Sequence, residues 1–188
     1  DCLIPYQWGV LTDQIVCAEP SHAVRNFKIA AGAADGEFSG FVFQDSDLYK
    51  WLEAVGNVLQ YQKDLDLESK ADEIIGYIEK AQQPDGYLNT YFQLKEPEKK
   101  WTNLLECHEL YCAGHLMEAA VAYAKGTGKT ALLQTACRLA DCIDRVFGRE
   151  EGKKHGYPGH QEIELGLIRL YEWTEEPRYL KLASYFLD

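Results

Sequence analysis

His108 and His160 are the side chains of this sequence best placed to do chemistry. Each opens a helical stretch directly behind a turn-like segment: Leu105-Glu106-Cys107-His108-Glu109-Leu110-Tyr111 and Gly156-Tyr157-Pro158-Gly159-His160-Gln161-Glu162. In an all-helical protein, polar residues at helix starts gather at one rim of the bundle, where a pocket can open. An imidazole there offers one hydrogen bond per ring nitrogen and can hold a hydroxylated ligand.

Other constellations are weaker. His108, Cys112 and His115 fall at i, i+4 and i+7 on one helix face, and these are residue types that zinc uses. The pattern is His-Glu-x-x-Cys, however, not the His-Glu-x-x-His of metalloproteases. Side chains two turns apart are also separated by roughly 10 Å. The expectation is packing for Cys112, a cap or solvent role for His115, and no metal site in this segment. Glu106 with Glu109, and Glu162 with Glu164, have the chemistry of a glycosidic acid/base pair. Carboxylates in a first helical turn are equally favoured by the macrodipole, which is their commoner role. Tyr87, Tyr91, Phe92, Trp101, Tyr111 and Tyr157 cluster between helical pairs, where they can stack on sugar faces or simply pack. His22 and His155 have no supporting neighbours and read as surface residues. Gly126-Thr127-Gly128-Lys129-Thr130 lacks the strand and the earlier glycine of a phosphate loop and reads as a hairpin junction.

The elements that must carry these residues are helices. Apolar residues recur at helical spacing in six stripes. They begin at Leu48, Leu67, Leu110, Leu132, Ile163 and Tyr179. Short junctions at Lys63-Asp64, Gly126-Thr127-Gly128 and Thr174-Glu175-Glu176-Pro177 fold them into three antiparallel pairs. Longer segments, Gln83 to Asn103 and Gly148 to Gly159, join one pair to the next. The second and third pairs align at a shift of 47, setting Thr127, Leu133, Ala136 and Asp141 against Thr174, Leu180, Ala183 and Asp188. Repeated hairpins with short links on one side and long links on the other point to a solenoid or a closed toroid. Upstream, residues 1–14 are expected to hold a helix with Ile4, Trp8 and Leu11 on one face, and 21–33 another with Val24, Phe27 and Ala31 inside. Residues 36–46 read as a loop into a helix capped by Asp45, Ser46 or Asp47.

The expected fold class is all-α: 1–188 as a single domain of helical hairpins forming roughly half of an (α/α)6 toroid. An apolar content of 46% and a charged content of 26% are globular values and argue against disorder. A formal charge of -11, with no Lys/Arg cluster, argues against nucleic acid. No apolar run approaches the roughly 20 residues that span a bilayer. Of the six cysteines, Cys107/Cys112 and Cys137/Cys142 are five apart within helical patterns and face different sides. Free thiols in a reducing cytoplasm are therefore expected. The chain starts at Asp1, and the apolar helix of residues 179–188 meets no stop signal. The expectation is a fragment whose partner is the remainder of the same polypeptide. Oligomeric state leaves no sequence signal.

Five motifs add a resemblance: Ile4-Pro5-Tyr6-Gln7-Trp8; Phe43-Gln44-Asp45-Ser46-Asp47-Leu48-Tyr49-Lys50-Trp51-Leu52-Glu53-Ala54; Gln83-Pro84-Asp85-Gly86-Tyr87-Leu88-Asn89-Thr90-Tyr91; His108-Glu109-Leu110-Tyr111-Cys112-Ala113-Gly114-His115-Leu116; and Gly156-Tyr157-Pro158-Gly159-His160-Gln161-Glu162-Ile163-Glu164. With these the sequence resembles the bacterial glycoside hydrolase family typified by β-L-arabinofuranosidase. The resemblance implies an (α/α)6 toroid followed by β-sandwich material. It also implies a zinc-bound cysteine nucleophile with a glutamate acid/base, the zinc held by a glutamate and three cysteines. The corresponding segments are absent here, so no catalytic or metal residue carries over. His108 and His160 match family histidines lining the sugar pocket and carry over as substrate-binding; Asp45, Tyr87 and Trp101 are weaker candidates. The implied activity of the full-length protein is release of a terminal L-arabinofuranose from a glycoside or oligosaccharide with retention, this segment supplying half the pocket and being inactive alone. The other readings are a different toroid enzyme (an unsaturated-uronide hydrolase or a sugar epimerase) and a non-enzymatic helical-repeat binding module.

Overall fold

The computed structural model describes residues 2–188; Asp1, at the head of the first expected helix, lies outside them. The described residues form nine α-helices and no sheet. They are α1 (Leu3–Leu11), α2 (Ala23–Ala30), α3 (Asp45–Leu59), α4 (Leu65–Ala81), α5 (Thr90–Leu94), α6 (Glu109–Thr127), α7 (Ala131–Val146), α8 (Ile163–Thr174) and α9 (Pro177–Leu187). Among the described residues no helix is long and apolar enough to cross a membrane.

The six long stripes each became a helix, with boundaries set by recognisable local chemistry. Asp64 caps α4 by accepting from Leu67 N at 3.0 Å. Pro177 opens α9, where its missing N–H costs nothing. The 47-residue repeat has a physical counterpart at the hairpin junctions. The Thr127 hydroxyl donates to the Tyr123 carbonyl and accepts from Lys129 N, and the Thr174 hydroxyl donates to Leu170 and accepts from Glu176 N. The same threonine ends α6 and α8 and starts the turn into α7 and α9.

Helices α3, α6 and α8 pack side by side in one layer, and α4, α7 and α9 cover them in a second. This two-layer arc of hairpins is the expected architecture. α6 is buried on several faces because it lies between α3 and α8 with α7 behind; Leu116, Met117 and Ala120 have no exposed surface. Backbones in the inner layer approach closely at glycines. A Cβ on Gly56 of α3 would lie 2.5 Å from Tyr123 N and 2.8 Å from the Ala122 carbonyl oxygen of α6. Gly114 and Gly166 make the equivalent approach between α6 and α8.

Three local expectations are corrected. The cap of α3 is Gln44; Asp45, Ser46 and Asp47 already lie in its first turn, because the Asp45 carboxylate turns inward to Thr90 and not back to the helix start. The long joining segment contains α5 and a 3-10 turn at Pro97–Lys99. Asn89 caps α5 by accepting from Phe92 N, and five residues are too few to display a period. Ala31 follows the end of α2 and is only half-buried.

Candidate functional site

The inner helices α3, α6 and α8 begin at one rim, and the two histidines meet there. His108 stands just before α6 with a left-handed backbone (φ 56°), a conformation that costs a residue with a Cβ about 1 kcal/mol or more. His160 belongs to the segment entering α8. Their Nε2 atoms lie 2.9 Å apart and the ring centroids 4.7 Å apart. His108 Nδ1 also contacts the Glu106 carbonyl. A carbonyl only accepts, so His108 carries its proton on Nδ1 and presents a bare Nε2. His160 must then donate through Nε2–H. The pair therefore joins one acceptor and one donor at a single point, satisfied by each other.

Two devices hold the rings together. Gly159 N donates to the Leu104 carbonyl at 3.1 Å. A Cβ on Gly159 would sit 2.1 Å from the Leu105 oxygen, so only glycine lets this loop seat against the segment before His108. The second is aromatic packing. Tyr111 lies 5.6 Å from the His108 ring and 5.3 Å from His160, and Phe43 lies 5.2 Å from His108. Lys50 Nζ sits 5.1 Å over the Tyr111 ring.

Behind the pair, two buried carboxyls fasten the joining segment to the rim. Glu109, 3% exposed, accepts from the Tyr87 hydroxyl at 2.6 Å and from Trp101 N at 2.7 Å. Trp101 is itself left-handed (φ 59°). Burial pushes Glu109 up to about 7 despite these bonds. Asp45, 2% exposed, accepts from Thr90 N at 2.7 Å and from the Thr90 hydroxyl, and burial pushes it up to about 6. The weaker candidates are thus placed as follows. Asp45 and Tyr87 lie inside the protein with their oxygens engaged by Thr90 and Glu109. Trp101 is half-buried, edge-on to Tyr87 and Phe147.

The i, i+4, i+7 set does not converge. His108 turns to His160, the buried Cys112 thiol points to the Phe43 carbonyl at 3.7 Å, and His115 faces α8. His115 Nδ1 is 3.1 Å from Glu162 Oε1, and burial holds its pKa down at about 4. Burial and the neighbouring Glu118 push Glu162 up. Glu53, His115 and Glu118 bring ligand-type atoms within 4.8 Å of one another. Sequence reasoning missed this cluster, as it missed Phe43 and Lys50, because its members come from different helices. Among the described residues no such cluster includes a cysteine, and all six thiols are free. These residues therefore do not fit the cysteine-rich zinc centre implied by the resemblance. His22, expected on the surface without neighbours, is half-buried beside Asp13, with Nδ1 3.3 Å from its carboxylate.

Comparison with known proteins gives a consistent result. The profile of the β-L-arabinofuranosidase GH127 catalytic domain matches residues 3–188. The non-reducing end β-L-arabinofuranosidase of Bifidobacterium longum subsp. longum is 47% identical over 204 aligned positions, which cover 100% of this chain and 31% of the relative. The crystal structure of a GH127 β-L-arabinofuranosidase from Geobacillus stearothermophilus matches with a TM-score of 0.98 at 60% identity, covering 100% of this chain and 29% of that one. A second solved GH127 β-arabinofuranosidase matches with a TM-score of 0.89 at 34% identity, covering 98% and 30%. The chain spans about a third of the length of these relatives.

Proposed function

The chain belongs to the GH127 β-L-arabinofuranosidase family, and on that footing we propose that the whole protein releases a terminal β-L-arabinofuranosyl unit from a glycoside with retention. This segment supplies half of the sugar pocket, and the nucleophile, the acid/base and any zinc come from the remaining polypeptide. The reading rests on the convergence of His108 and His160, 2.9 Å apart at the rim. One sugar hydroxyl can replace their mutual bond, donating to His108 Nε2 and accepting from His160 Nε2–H. At ordinary hydrogen-bond lengths and a tetrahedral oxygen, the two nitrogens would then part to roughly 4.6 Å. Such a clamp orients the ring and transfers no proton to the reacting bond. The six free cysteines suit a cytoplasmic location.

The test is kinetic. The full-length protein should hydrolyse an aryl β-L-arabinofuranoside and leave an unsaturated uronide untouched. His108→Ala and His160→Ala should each lower kcat/KM roughly 5- to 150-fold, the equivalent of an unpaired hydrogen-bonding group worth about 1–3 kcal/mol. Turnover of the uronide alone, or wild-type kinetics in both variants, would overturn the reading.

A further inference from the structure

Beside the histidine pair, α1, the residue 19–22 segment, the 40–44 loop and the first turns of α3 enclose an open cleft of about 920 Å³. Its volume falls within the range of about 300–1,000 Å³ typical of small-ligand sites. One wall is aromatic. Phe41, 60% exposed, lies parallel to Phe43 with centroids 5.3 Å apart and planes 1° apart. Phe43 in turn packs on His108, so an unbroken row of rings runs from the cleft through Phe43 and His108 to His160. Asp47 and Lys50 from α3 add a carboxylate and an ammonium to the lining.

This wall is a built feature. Phe41 N donates to Gln44 Oε1 at 3.1 Å, while the Gln44 amide donates to Ser21 Oγ and to Asp47 Oδ2. Gly40 makes the turn at φ 101°, where a Cβ would meet Gln44 Oε1 at 2.7 Å. Two parallel rings on a fixed backbone present a flat apolar face to the cleft. Flat rings in one cleft with a carboxylate and an ammonium offer stacking to the C–H face of a sugar and hydrogen bonds to its hydroxyls.

We propose that the Phe41–Phe43 cleft is the subsite for the sugar residue on the leaving-group side of the scissile bond. The inference deepens the arabinofuranosidase reading and rests on it. If the glycone is held by His108 and His160, the next sugar must lie against a neighbouring wall, and the cleft shares Phe43 with that pair. Lys50 also spans the two regions, lining the cleft while sitting over Tyr111.

The experiment uses the full-length enzyme and two substrates, a β-L-arabinofuranosyl disaccharide and methyl β-L-arabinofuranoside, whose leaving group is too small to reach Phe41. In Phe41→Ala the preference for the disaccharide, read as the ratio of the two kcat/KM values, should fall about tenfold through a raised KM. Phe41→Trp should restore it. An unaltered ratio would overturn the subsite, as would a lowered melting temperature with equal losses on both substrates, which would assign Phe41 to packing against the rest of the polypeptide. Wild-type enzyme that hydrolyses neither substrate would instead refute the arabinofuranosidase reading itself.

Discussion

Glu109→Gln is the most informative perturbation of the rim. The carboxyl is 3% exposed, and its pKa is pushed up from 4.5 to about 7 by burial, against the opposing pull of the Tyr87 hydroxyl, Trp101 N–H and nearby Lys154 and Lys100. Below pH 4.5 both folded and unfolded chains hold this proton, and it contributes nothing to the balance. Between pH 4.5 and about 7 the unfolded chain releases it first, so stability falls as pH rises; above 7 the loss is complete. At about 1.36 kcal/mol per pH unit, that gap is worth roughly 3 kcal/mol. Glutamine mimics the protonated form at every pH. Its oxygen can accept from Trp101 N–H, and the Tyr87 hydroxyl can reverse to accept from its amide. Urea unfolding of the full-length protein from pH 4 to 8 should therefore show the variant gaining roughly 3 kcal/mol on wild type across that range. Parallel curves would refute the reasoning, because they would mean that Glu109 is ionised in the fold at no cost.

Other perturbations test the packing that brings the site together. Gly159→Ala places a methyl 2.1 Å from the Leu105 oxygen, so the loop must shift; KM for an arabinofuranoside should rise about tenfold or more while thermal stability falls only slightly, and an unmoved KM would contradict the seating role. Gly56→Ala forces α3 away from α6, where its Cβ meets backbone atoms at 2.5–2.8 Å; overpacking of this kind costs about 1–3 kcal/mol in urea unfolding, and wild-type stability would contradict the close approach. For Asp45→Asn and Thr90→Val, a double-mutant cycle should return a coupling of about 1–3 kcal/mol, against zero if the two side chains act independently.

The hairpin architecture was legible because its signal is periodic. Stripes such as Leu132, Ala136, Leu139 and Ile143 repeat often enough to fix both the helix and its buried face. Junction chemistry was legible too, since Asp64, Gly128 and Pro177 each have one dominant local role. Short elements escaped: α5 rests on a single cap, Asn89. Of the site, the two histidines were recognisable from their place behind turns, but nothing local reveals that His108 is left-handed or that its Nε2 meets His160 across 52 residues. Glu106 and Glu109 look alike in sequence. One is exposed and the other buried under Trp101, a distinction made by the loop that folds over them. The Glu53, His115 and Glu118 cluster spans two helices whose register is set by glycine contacts, and no spacing rule along one chain encodes it.

A crystal structure of the full-length protein with L-arabinose bound tests the central claim most directly. One sugar hydroxyl should lie between His108 Nε2 and His160 Nε2, within hydrogen-bond distance of both, with the nitrogens parted from 2.9 Å to roughly 4.6 Å. Arabinose bound elsewhere, with the two imidazoles still joined to each other, would contradict the account.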